Sequence, residues 1–118
     1  MNRLIAIAAA LLIAGPASAE WARIETKAAL ADQVVGTQFI EPKSKAWFRL
    51  NADGSLSGAY QGKDLTGTWK WRSKRVCYTR KLGGERLPDN CIAIHIDGNN
   101  LATTRQKGGT QVLYVRGK

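Results

Sequence analysis

The chain is poor in the residues from which most enzyme and metal sites are built. Its 118 residues hold one His, two Cys, three Pro and nine Asp plus Glu, against 18 Lys plus Arg. His95 alone cannot complete a zinc shell, and Cys77 and Cys91 lack the Cys-x-x-Cys spacing, so no metal or redox ligand set is present. No serine stands in a nucleophile-elbow pattern. Glu85 and Asp89 are spaced like a carboxylate pair, but they read as residues of a surface loop with Arg86 between them. His95 alternates with Ile94 and Ile96, so it is expected to point away from their face as a surface or second-layer polar residue. These absences lead to the expectation of a noncatalytic protein with no cofactor and no bound metal. At 44% hydrophobic and 23% charged residues, the composition excludes a disordered tail, a collagen-like repeat and a multi-span membrane protein. The length allows one domain.

Long apolar runs are missing too, with one short exception at the N-terminus. Arg3 precedes an apolar stretch from Leu4 to Ala14, and Gly15-Pro16 breaks it just before Ala17-Ser18-Ala19. Those are the three parts of a secretory signal, expected over residues 1–19. The apolar core of 11 residues falls well short of the roughly 20 a transmembrane helix needs, so no membrane anchor is expected in the mature form. Cleavage near Ala19 leaves a single domain over residues 20–118, and the expected location is the periplasm or beyond. Removing Arg3 and no acid gives the mature chain 17 basic residues against 9 acids.

An exported chain meets an oxidising compartment, where two thiols become a structural disulfide. Cys77 and Cys91 each lie seven residues from Gly84, and Gly83-Gly84 is the strongest turn signal between them. A hairpin folded there places the two sulfurs opposite each other on adjacent strands. Closing a loop of this size contributes about 3 kcal/mol by the chain-entropy estimate.

One short helix is expected in the mature chain, from Thr26 or Glu25 to Gly36. An N-capping side chain opens it, Ala28, Ala29 and Ala31 favour it, and a glycine suits its end. Everything beyond alternates with period two between turn residues. Phe48 and Leu50 share one face, as do Leu56, Gly58 and Tyr60. Leu65, Gly67, Trp69 and Trp71 share another, and so do Ile92, Ile94 and Ile96. Hairpin-length connections require an antiparallel meander, here of about seven or eight strands. The expected architecture is mainly β: a small barrel or flattened sandwich with one short N-terminal helix. Gly58 and Gly67 fall on the inner face, where a missing side chain permits strong coiling.

The run Asp53-Gly54-Ser55-Leu56-Ser57-Gly58, the run Gly67-Thr68-Trp69-Lys70-Trp71, Cys77-Tyr78 and a second Cys at Cys91 follow the signal and the helix. Together they resemble a group of small secreted alphaproteobacterial proteins of unknown function, some of which carry the label dihydrodipicolinate reductase. Such a reductase needs a glycine-rich strand-to-helix turn on a parallel sheet to hold the pyrophosphate. The chain has neither the Gly-x-Gly-x-x-Gly spacing nor the helices, so the residues do not support that label.

The excess of positive charge is concentrated. Lys70, Arg72, Lys74, Arg75, Arg80, Lys81 and Arg86 fall within 17 positions, opposed only by Glu85. Solubility and protection of sheet edges are the plain reading; an anion-binding face is the functional one. Export directs that face away from nucleic acid and towards an anionic envelope component or an acidic periplasmic protein. Trp47 has the opposite parity to Phe48 and Leu50 and is the candidate contact aromatic. The alternatives are an inhibitor or accessory module acting on another periplasmic protein, and a small-ligand carrier. The second is disfavoured because two inward tryptophans would fill so small an interior.

Overall fold

A computed structural model describes residues 21–117, so the expected signal segment lies outside the described residues. The elements are β1 (Ala22–Arg23), α1 (Lys27–Gln33), β2 (Phe39–Ile40), β3 (Trp47–Leu50), β4 (Ser55–Tyr60), β5 (Lys63–Arg72), β6 (Arg75–Leu82), β7 (Glu85–Asp97), β8 (Asn100–Arg105) and β9 (Gln111–Arg116). Thr26 is the N-cap of α1, its hydroxyl accepting from the Ala29 amide at 3.0 Å, as the short polar side chain before an alanine-rich segment predicts.

Consecutive strands from β2 to β9 pair antiparallel, and β2 pairs with β9, so eight strands close into a barrel. Closure depends on two residues: Phe39 and Ile40 face Phe48 and Trp47 on one side and Arg116 and Val115 on the other. The ninth strand, β1, lies outside the ring and pairs with the far end of β7, at Ile96 and His95. β7 is long because it serves three neighbours, β1 among them. Its first half pairs with β6, and from Ile92 onward it pairs with β8.

The period-two pattern sorts side chains as the sequence predicts. Phe48, Leu50, Leu56, Trp69, Val76, Tyr78, Ile92, Ile94, Ile96 and Leu101 are buried in one core. Each fully buried aliphatic or aromatic side chain among them stabilises the fold by about 1.5–3 kcal/mol. Leu30 of α1 and Val34, which caps its C-terminus, join that core together with Phe39, so the helix plugs one end of the barrel. The Trp69 indole N–H donates to the Asn51 carbonyl at 2.9 Å at the same end, which satisfies its one polar atom. Gly58 and Gly67 sit opposite Leu65 and Leu56. A side-chain carbon at Gly67 would collide with the Thr79 carbonyl, and one at Gly58 with the Trp47 carbonyl. Tight coiling of β3 to β6 therefore requires glycine at both places.

The hairpin between β6 and β7 turns at Gly83-Gly84, both with positive φ. Near the turn the pairs Leu82–Glu85, Lys81–Arg86 and Arg80–Leu87 are centred between the two glycines. Beyond an irregularity around Thr79, the pairs Tyr78–Asn90 and Cys77–Cys91 are centred on Gly84. One extra residue on β7, in the Pro88-Asp89 stretch, makes that shift, and it brings the cysteines into register for the Cys77–Cys91 disulfide. The expectation of a surface loop at Glu85 and Asp89 is corrected: both belong to β7. Proline in a strand is tolerated at such a bulge, where no ladder hydrogen bond is lost.

Candidate functional site

Alternation along β5, β6 and β7 turns Trp69, Val76, Tyr78 and Ile92 inward, so the intervening residues face out. Register then assembles them into rows. Lys70 lies beside Cys77, which lies beside Cys91; Arg72 lies beside Arg75; Thr66 lies beside Lys81, which lies beside Arg86. Lys74 occupies the turn between β5 and β6 with a φ of 62°. Register thus brings five of the seven clustered cations onto one outer wall, and Lys74 stands at its edge. Between its upper and lower parts the Thr68 and Thr79 hydroxyls hydrogen-bond at 2.8 Å.

Two of the six are engaged. Lys74 stands 3.8 Å from Glu25, and Arg86 donates to both oxygens of Asp89 at 3.0 and 3.1 Å. Both pairs are solvent-exposed, so each contributes little to stability. Lys70, Arg72, Arg75 and Lys81 have no carboxylate within ion-pair distance among the described residues. Two shallow grooves cross the wall. One, of about 320 Å³, is lined by Thr68, Lys70, Arg72, Asp89, Asn90 and Lys107 beside the disulfide. The other, of about 270 Å³, lies along Thr66, Lys81 and Arg86.

Arg80 departs from this set. It shares parity with Val76 and Tyr78, and its guanidinium lies 4.7 Å from the centre of the Tyr78 ring. It reaches the barrel interior at the end opposite α1, among Leu65, Leu82, Leu87, Arg105 and Tyr114. The linear clustering of charge obscured a parity that the alternation already contained. Arg105 and Tyr114 attracted no attention in the sequence for a related reason: the β8–β9 turn is polar throughout, and only the closure of the barrel brings its flanking strands across from β6.

Burial pushes the Tyr114 hydroxyl up to about 12, and Glu41 and Tyr78 add to the shift. Arg105 and Arg80 oppose it, and Glu41, Arg80, Arg105 and Tyr114 line one cavity. Trp47 faces outward and is half-buried, with the Arg49 guanidinium 5.6 Å from its ring centre. It lies on β3, away from the cationic wall. His95 also faces out, between Arg23 on β1 and Ala102 on β8. The described residues contain no group of three His, Cys, Asp or Glu side chains arranged to hold a metal. No family model, curated protein or solved structure matches the chain.

Proposed function

We propose that the barrel is a noncatalytic protein of the cell envelope that docks onto phosphate-bearing surfaces, such as phospholipid or lipopolysaccharide headgroups, through the outer face of β5, β6 and β7. One observation carries this reading: five basic side chains share one wall with Lys74 at its edge, and four of them have no carboxylate within ion-pair distance among the described residues. A wall evolved only for solubility would gain as much from interspersed signs. The N-terminal segment argues for export, and a disulfide accords with an oxidising compartment. In that setting the abundant anions are membrane and cell-wall phosphates.

Docking would proceed by charge attraction without deep insertion, because among the described residues the wall presents mostly threonines and cations, with the exposed acids Asp64 and Asp89 at its margins and no large apolar side chain. Each Lys or Arg near an anionic bilayer contributes about 1 kcal/mol, falling off within a Debye length. Co-sedimentation with phosphatidylglycerol vesicles tests this. Binding is expected at about 0.1 M salt, with loss as the screening length shortens from about 10 Å towards 3 Å at 1 M. Neutral phosphatidylcholine vesicles should not pellet the protein. Equal binding to both vesicle types, or binding that survives 1 M salt, overturns the proposal.

A further inference from the structure

The end of the barrel opposite α1 is open. A cavity of about 420 Å³ enters there, walled by Leu65, Leu82, Leu87 and Val112. A smaller space of about 70 Å³ continues inward between Phe48, Leu56, Ile92 and Thr103. Trp69 and Trp71 occupy the helix-capped end, so the two inward tryptophans do not fill the interior. The entrance volume falls in the range of small-molecule sites, and an eight-stranded barrel is wide enough for one small ligand.

The chemistry of the entrance is lopsided. Arg80 lines both spaces and Arg105 lines the outer one. The Arg80 Nε is buried without a hydrogen-bond partner, and no carboxylate lies within ion-pair distance of either guanidinium among the described residues. Among the described residues Glu41 is the one acid on the cavity wall, and its carboxylate accepts from the Ser44 hydroxyl at 2.6 Å. A half-buried guanidinium stacked on a tyrosine, with an unsatisfied donor and no counter-ion, is costly to keep in a protein of this size. An anion brought in from outside would relieve that cost.

We infer that this open end binds a small amphiphile with a single acidic headgroup, such as a short-chain carboxylic acid. The anion meets Arg80 and Arg105, and the apolar part lies against Leu65, Leu82, Leu87 and Val112. The leucine walls select against small hydrated anions such as acetate, and the guanidinium pair selects against neutral amphiphiles of the same length. The site opens at the end of the barrel and the wall faces sideways, with the Arg80 and Lys81 side chains on opposite faces of β6, although Arg80 also borders the outer groove along Thr66, Lys81 and Arg86.

Octanoate, 1-octanol and acetate, titrated into isotopically labelled protein and followed by amide NMR shifts and calorimetry, test the assignment. Octanoate should shift the amides of Leu65, Leu87 and Tyr114 and bind about tenfold more tightly than octanol, the difference expected of one good charge-assisted contact. Acetate should shift none of them. Arg80→Met keeps much of the apolar stem and should weaken octanoate about tenfold while leaving octanol unchanged. If that variant does not fold, Arg105→Met at the exposed rim serves, with the same loss expected. Equal affinity for octanoate and octanol, absence of octanoate binding, or undiminished octanoate binding in the folded variant each overturns the assignment.

Discussion

The inner and outer faces of β5, β6 and β7 are made from alternate residues of the same three strands, yet they are built for different ends. The inner face carries Trp69, Val76, Tyr78 and Ile92, all buried, and joins the single core. The outer face carries Lys70, Arg72, Arg75, Lys81 and Arg86 around a threonine pair, with the disulfide between them. Stability is concentrated on one side of the wall and charge on the other. A substitution should therefore affect folding or binding according to its parity. Arg80 is the exception, a cation on the inner side, and it stands where the barrel is open.

The comparison breaks most visibly at Trp69. Trp69→Ala removes a large buried ring and the hydrogen bond to the Asn51 carbonyl, and it should cost about 3–5 kcal/mol in denaturant unfolding. The neighbouring outward residue, in Lys70→Ala, should stay within about 0.5 kcal/mol of the parent. The disulfide ranks next. The double variant Cys77→Ala/Cys91→Ala should lose about 3 kcal/mol through the freed loop in the unfolded chain. Hydrogen exchange should quicken first in β6 and the first half of β7, the part of β7 that β8 does not cover.

Tyr114 gives a smaller effect with a defined pH window. Its folded pKa is raised from 10.0 to about 12, so the folded state holds that proton more tightly than the unfolded state does. The associated stability is fully present below pH 10 and is lost as pH climbs towards 12. Tyr114→Phe should flatten the part of the alkaline decline in melting temperature that belongs to this group. A small effect of either sign is expected at Arg80. Arg80→Met exchanges an uncompensated cation for an apolar chain in a half-buried place, and stability should change by less than about 1 kcal/mol or rise. A loss of several kcal/mol would mean that Arg80 supports the core after all.

Much of this was legible in the sequence, because parity is a local property. The inward set, the helix cap at Thr26, the turn glycines and the cysteine pairing follow from spacings of a few residues. The closing contact was harder to see. β2 is two residues long and meets β9 at the other end of the chain, so no local pattern announces it. The stretch around Pro88 read as a loop because proline and two acids interrupt the alternation. In the fold the interruption is a bulge, and it corrects the register by one residue so that Cys91 meets Cys77. The basic cluster was visible as a run of charge, but contiguity in sequence hid the turn of Arg80 to the inside. The open end of the barrel was not legible, since it depends on which strands outlast their neighbours.

The separation of the two faces is tested most directly by one paired measurement on folded variants. Lys70→Glu/Arg72→Glu/Lys81→Glu reverses three cations of the outer wall, and Arg80→Met removes the inner one. Both are assayed for phosphatidylglycerol vesicle binding and for octanoate binding under the same salt. The outer variant should lose vesicle binding while keeping octanoate, and the inner variant should do the reverse. Vesicle binding that persists in the outer variant would contradict the proposal that this wall is the docking face.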